Sequence, residues 1–344
     1  MSSLQAGATA SSSNVDEHYT MLAGYMEQGF TLNAFYIVPG AGTKAGLMST
    51  NVAFEAVFCR PVGRVPPSEP KAVRLFVEKS TMYIERCREG YLNFGIATDS
   101  SDILNKIHHQ ASLGGRLISI ERNGVVIAQG ASALMAGVRS GCGVDILFEV
   151  PAQPSLVRYV YQAINVPVGL RKTSRTFKAH CNWLEILSSH LNQGWKLVDV
   201  FNDQSCRKAS AFSREASMNA IWFFEKDASK LDNMTPLYEG AILEYFHKVS
   251  VGFRGVKVKT DWSTVIIEMG RRGWEFVCIQ DTPETTRSGG IATLEVKLIM
   301  FFQRKIIGQP NVAPPPYPGM SEFATTVPTS ELDHRAVNAE KGGP

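Results

Sequence analysis

Few side chains in this sequence stand where chemistry would need them. His108 and His109 fall together late in a helical stretch, with no cysteine or carboxylate at ligand spacing. Zinc requires three or four such ligands converging, so these two read as surface or core histidines. His180 and Cys181 are adjacent, but an activated thiol needs a base that is itself oriented by a third group, and no such partner is evident. The run Gly40-Ala41-Gly42-Thr43-Lys44-Ala45-Gly46 has the glycine content of a phosphate cradle. It lacks the Gly-Lys-Ser/Thr that opens a helix in that motif, and it follows a strand, so it reads as an inter-strand loop. Gly137–Gly143 reads the same way. No catalytic, cofactor-binding or metal-binding residue is assigned, and the chain is not expected to be an enzyme. A small-ligand site in a cleft between structural units is the remaining chemical reading, and it would require polar residues converging in a deep pocket.

The basic residues are grouped more tellingly. Arg171, Lys172, Arg175 and Lys178 form one run without an acid. His247 and Lys248 lead into a second with Arg254, Lys257 and Lys259, and Arg207, Lys208 and Arg214 lie in a third. Such clusters are either a solvated face or a contact for an anionic leaflet, where each basic residue contributes about 1 kcal/mol. Thr173, Ser174 and Ser210 beside them are sites where phosphorylation would weaken that attraction, and Cys206 is a candidate for palmitoylation. Near the C-terminus, Pro314-Pro315-Pro316-Tyr317 has the Pro-Pro-x-Tyr pattern. A polyproline II ridge followed by an aromatic suits the groove of a WW domain at little ordering cost. Pro314, Pro315 and Tyr317 are the expected contacts.

Composition sets the frame for these groups. The 344 residues are 44% hydrophobic and 19% charged, with a formal net charge of +3, a globular profile too weakly basic to imply nucleic acid. No apolar run approaches the roughly 18–20 residues of a membrane-spanning helix. The Ala/Ser-rich start lacks the basic and apolar regions of a signal peptide, and six scattered cysteines include no CxxC pair. A reducing, cytoplasmic setting is expected. Residues 1–14 and the Pro-rich 307–344 have little to bury and read as disordered.

Between them lies an internal repeat. A glycine followed by a large side chain ends an amphipathic helix at Gly29-Phe30, Gly194-Trp195 and Gly273-Trp274, with Gly115-Arg116 as a fainter copy; the glycines are 86, 79 and 79 residues apart. Glycine tolerates the left-handed conformation that closes a helix. The helix stripes are Tyr19, Leu22 and Met26; Ile103, Leu104, Ile107 and Ala111; Trp183, Leu184, Leu187 and Leu191; and Trp262, Val265, Ile266 and Met269. Asn182 as N-cap with Glu185 predicts a capping box. A strand follows each glycine, with Leu32, Ile118, Leu197 and Phe276 as matching core positions. A second strand ends at Phe58, Phe148, Phe224 and Phe302, which are 29, 33, 30 and 29 residues after the glycines. The expected fold is α+β: four βαββ-type pseudo-repeats with mostly antiparallel sheets and helices on one face. They are expected to pair into two domains, 15–150 and 151–306, divided near Val150-Pro151-Ala152-Gln153-Pro154.

Particular segments resemble the raftlin family: Asn182-Trp183-Leu184-Glu185, Trp222-Phe223-Phe224-Glu225, Gly255–Asp261, Gly273-Trp274-Glu275 and Phe302-Gln303-Arg304. Gln28-Gly29-Phe30-Thr31-Leu32 extends the resemblance to the first half. It implies a non-enzymatic peripheral membrane adaptor of lipid rafts, serving receptor signalling and endocytic uptake. The family's membrane attachment is implied to use an N-terminal Gly-Cys for dual acylation. Here Ser2 and Ser3 stand in those places, and myristoylation requires the glycine. The expectation is a cytoplasmic protein reaching the membrane through its basic groups, with a soluble scaffold that recruits WW-domain partners as the alternative.

Overall fold

The computed structural model describes residues 15–306, apart from 45–49, 61–72, 89–93, 129–139, 154–155, 174–176, 209–214, 253–254, 260–261 and 288–292. The chain runs through four units. The first comprises α1 (Val15–Glu27), β1 (Thr31–Lys44) and β2 (Thr50–Cys59). The second adds a leading strand pair: β3 (Val73–Arg88), β4 (Phe94–Asp99), α2 (Ser101–Ser112), β5 (Arg116–Ala128) and β6 (Ser140–Pro151). The third is β7 (Tyr159–Lys172), β8 (Phe177–His180), α3 (Trp183–Leu191), β9 (Lys196–Lys208) and β10 (Glu215–Asp227). The fourth is β11 (Tyr238–Gly252), β12 (Gly255–Lys259), α4 (Trp262–Arg271), β13 (Glu275–Arg287) and β14 (Thr293–Lys305).

Each helix stops by the same device. Gly29, Gly114, Gly194 and Gly273 have φ of 86°, 93°, 80° and 83°. The following N–H reaches back to a carbonyl five residues earlier, as in Phe30 to Tyr25 (3.2 Å), Gly115 to Gln110 (2.9 Å), Trp195 to His190 (3.1 Å) and Trp274 to Met269 (3.0 Å). This is the Schellman closure, which satisfies carbonyls the helix leaves orphaned. In the second unit the stop is therefore Gly114, not Gly115, which takes the place of the aromatic. The core position moves with it from Ile118 to Leu117. Leu32, Leu117, Leu197 and Phe276 then lie opposite Phe58, Phe148, Phe224 and Phe302 across their strand pairs. Where two glycines stand in tandem, residue type alone does not say which one turns; the backbone angle does.

All described strand pairs are antiparallel. The sheet orders are β1-β2, then β5-β6-β3-β4-β9-β10-β7-β8, then β12-β11-β14-β13. The eight-stranded sheet joins the second and third units through the single pairing Ile96 to Cys206. The expected division at 150–156 therefore falls inside one sheet. The cores explain why. One cluster packs the first and second units (Leu22, Phe35, Ile118, Leu147) and another the second and third (Ile107, Phe148, Val198, Phe223). A third packs the third and fourth (Leu187, Trp222, Val277, Phe301), and the last joins the fourth back to the first (Trp262, Phe302, Tyr36, Val38). Every unit buries apolar surface against two neighbours, so the chain does not divide two and two.

Two loop readings also change. Gly40–Lys44 continues β1, with Gly42 opposite Val52, and Gly141 and Gly143 lie within β6. Gly143 is tolerated in mid-strand because Asn123 Oδ1 would stand 2.3 Å from an added Cβ. Asn182 occupies the N-cap position but makes no side-chain bond to the backbone; it donates to Glu185 Oε2 at 2.9 Å instead. Asp261 and residues 1–14 and 307–344 lie outside the described residues.

Alanine at the two best-formed stops should separate strain from crowding. Gly273→Ala has open space and should lose about 1–2 kcal/mol from the left-handed backbone alone. Gly194→Ala also places Cβ 2.9 Å from the Thr235 carbonyl and should lose more. Urea denaturation of both variants measures the difference.

Candidate functional site

The strand that follows each helix stop is the one that meets its counterparts. β1, β5, β9 and β13 line a central cavity of about 340 Å³, bounded by Tyr36, Glu121, Arg122, Asp199, Asn202 and Asp281 among others. Each of these strands carries a bulge near its start, between Leu32 and Ala34, Leu117 and Ser119, Leu197 and Asp199, and Phe276 and Cys278. A bulge increases local twist and turns amides out of the ladder. Side chains of the neighbouring unit, or of the preceding residue, receive amides along these strands. Asp199 accepts the Ile120 N–H at 2.7 Å, the Val200 N–H at 2.8 Å and the Ser119 hydroxyl at 3.4 Å. Glu121 accepts the Ile37 N–H at 3.0 Å and the Arg122 N–H at 2.8 Å. Gln303 holds both the N–H and the carbonyl of Leu197, at 3.2 and 2.9 Å.

Burial governs the chemistry of these groups. It raises the Asp199 carboxyl to about 7, with backbone hydrogen bonds from Ile120 and Val200 opposing it and Glu121 adding to it. Burial also raises Glu121 to about 7, and it pushes the Cys278 thiol well up. At the rim between the fourth and first units, Trp262 Nε1 donates to Glu55 Oε2 at 2.7 Å, and the Tyr36 hydroxyl donates to the same oxygen at 2.9 Å. Burial, then the charge of Glu55, holds the Tyr36 phenol above its ordinary range. Across the third and fourth units, Trp183 Nε1 donates to Gln280 at 3.0 Å. The polar residues do converge, but mainly on one another and on backbone. Among the described residues no group of three or more His, Cys, Asp or Glu could hold a metal ion. None of these cavity residues was singled out from the sequence. The available signal was an acid interrupting an apolar strand, as Asp199 does in Leu197-Val198-Asp199-Val200-Phe201.

The basic residues collect elsewhere, at the sheet ends where strands turn back. Arg171 lies opposite Lys178 on the β7–β8 hairpin, and both are exposed with Lys172. β10 brings Glu215 opposite Arg171, and sets Ala216 and Ser217 opposite Lys208 and Arg207 at the end of β9. The first and third basic groups of the sequence thus share one sheet end. Lys257 and Lys259 lie on β12, with Lys259 opposite Lys248, beside the β11–β12 turn of the four-stranded sheet. Arg175, Arg214 and Arg254, and Pro314, Pro315 and Tyr317, lie outside the described residues. His247 leaves the basic group: it is 2% exposed against the Trp262 ring, with neither ring nitrogen hydrogen-bonded among the described residues, and burial lowers it to about 4. A β-strand alternates faces, so the neighbour of an exposed Lys248 points inward. His108, His109 and His180 are exposed, and burial raises the Cys181 thiol to about 11, which disfavours a nucleophile there. No helix among the described residues is long and apolar enough to cross a membrane.

The fold is thus of the α+β class, mostly antiparallel sheets with basic residues at the sheet ends and a polar centre. The chain belongs to the raftlin family: the family model described as Raftlin matches residues 138–315. Raftlin of Gallus gallus is 25% identical over 229 residues, covering 64% of this chain and 36% of that protein. Raftlin of Mus musculus is 25% identical over 185 residues (53% and 31%), and Raftlin of Homo sapiens 24% over 205 residues (57% and 32%). The chain thus aligns with about a third of the length of these relatives. No solved structure matches.

The cavity carboxyls predict a pH trend. Asp199 stays protonated in the fold up to about 7, whereas its ordinary value is 3.8. Its contribution is then full below about pH 4 and is lost as the pH rises toward 7. Asp199→Asn should shrink this loss, so the stability gap between variant and parent should change steadily from pH 4 to 7 in denaturant titrations. A gap that is flat with pH would mean the carboxyl is ionised in the fold.

Proposed function

We propose that this protein is a non-enzymatic, raftlin-type peripheral membrane adaptor in receptor signalling or endocytic trafficking, acting from the cytoplasmic side. The observation that carries the reading is the gathering of Arg171, Lys172 and Lys178 with Arg207 and Lys208 at one sheet end, in a chain of this family. Such a patch gains from an anionic leaflet through summed weak attractions rather than a pocket, and it would weaken with salt. The relatives' name, Raftlin, points to the same kind of surface. We read the four units as copies of one duplicated element, so that the hairpin ends recur around the fold and several can address a membrane together.

Flotation with vesicles containing anionic lipid tests this directly. The parent should bind them at low salt and not bind neutral vesicles. The triple variant Arg171→Glu, Lys172→Glu, Lys178→Glu should bind at least about 100-fold more weakly, at ~1 kcal/mol for each charge. Equal absence of binding to both vesicle types would remove the membrane role.

The second reading rests on Pro314-Pro315-Pro316-Tyr317: a WW-domain protein, such as a ubiquitin ligase acting in endocytosis, would be recruited through the tail. Pull-down with WW domains should lose the interaction with Tyr317→Ala and keep it in the triple charge variant. Capture unaffected by Tyr317→Ala would exclude the motif.

A further inference from the structure

The second, third and fourth units each place their strands in the same order: the unit's third, fourth, first and second strand. The first unit contributes only the equivalents of the third and fourth among the described residues, β1 and β2. Two surfaces mark where a leading hairpin would fit. One is the outer edge of β2, which pairs with β1 alone among the described strands. Its Phe54–Phe58 stretch is only half-buried. In the other units the matching Phe148, Phe224 and Phe302 are 0% exposed.

The other surface is on α4. Each preceding helix packs on the first strand of the unit after it: α1 on β3, α2 on β7 and α3 on β11. On α3, Leu187 and Leu191 press so closely on β11 that an added Cβ at Gly240 would lie 2.6 Å from each. Seven residues before their stopping glycines, Leu22, Ile107 and Leu187 are 0%, 1% and 0% exposed. Ile266 holds the same place on α4 and is partly exposed, and Ile267 beside it is 55% exposed. Gly270, in the place of Met26, Ala111 and Leu191, has nothing within 4 Å of where its Cβ would be. No described strand lies against this face as β11 lies against α3.

We propose that the segment Ser321–Val327 of this chain adds to the free edge of β2 as a strand, turns its apolar side toward α4, and closes the ring of units. Chain order supports it. The strand that leads a unit is always reached from the last strand of the unit before, across residues 60–72, 152–158 and 228–237. The last strand of the fourth unit is β14, which ends at Lys305, and fifteen residues separate it from Ser321, against 13, 7 and 10 in those three links. Fifteen extended residues span up to about 50 Å. Composition supports it as well. Ser321-Glu322-Phe323-Ala324-Thr325-Thr326-Val327 places Phe323, Thr325 and Val327 on one face, carries no charge after Glu322, and stops at Pro328. β-branched and aromatic residues favour strands, and an open edge is a template for one more.

Hydrogen exchange on the full-length protein tests the proposal. β2 amides should be protected in the parent and in Tyr317→Ala, which changes the tail outside the strand. In full-length Phe323→Asp/Val327→Asp, β2 exchange should rise at least about tenfold, with β6, β10 and β14 unchanged. A chain ending at Ile306 should show the same loss; the point variants decide the matter if that chain does not fold. Identical β2 exchange in parent and double variant would overturn the proposal. So would β2 protection that grows with protein concentration, which would place a second copy at this edge, or protection that depends on residues 1–14.

Discussion

The arrangement depends on how the four central strands meet without pairing. Their bulges and unpaired edges leave backbone N–H groups facing the neighbouring unit, where no ladder receives them. An unsatisfied buried amide costs on the order of 1–3 kcal/mol, so each must find a partner. Ile37 of the first unit finds Glu121 of the second, Ile120 of the second finds Asp199 of the third, and Leu197 of the third finds Gln303 of the fourth. One polar side chain from each succeeding unit thus stands in for a missing strand. Together they fix the order of the units and leave a polar cavity where the four strands converge.

Apolar packing follows that order. The inner stripe of α1, α2 and α3 faces the next unit, and the four cores lie at junctions rather than within units. At the second junction, Arg116 Nε donates to both Glu225 oxygens at 3.0 Å, while Tyr161 accepts the Leu117 N–H at 2.7 Å and donates to Glu225 at 3.4 Å. A half-buried pair of this kind keeps its partners in place because removing either one strands a charge. The same logic of neighbour-dependent burial makes the half-covered β2 and the outer face of α4 stand out: among the described residues no leading strand lies against either.

The centre and the periphery serve different ends. In the centre, carboxyls raised toward neutrality by burial are engaged by backbone and neighbouring side chains, a structural use of polarity. At the sheet ends Arg171, Lys172, Lys178 and Lys248 are exposed. The alignment covers about a third of the relatives' length.

The sequence alone determined the units. Glycine is the residue that can close a helix with positive φ, so Gly29, Gly194 and Gly273 were legible, and with them the helix stripes and the Phe-ended strands. The family resemblance was legible too, in segments around Trp183, Trp222 and Trp274. What the sequence could not decide was who packs against whom. Asp199 reads as an oddity in an apolar strand until Ile120, 79 residues away, is placed beside it. His247 reads as one charge in a basic run until its strand face is known. The choice between Gly114 and Gly115 required a backbone angle, and the two-by-two division gave way to a ring because apolar faces are indifferent to chain distance. Local conformation is set by neighbours in sequence, whereas partners across units are chosen by burial and hydrogen-bond satisfaction, which exist only once the chain has folded.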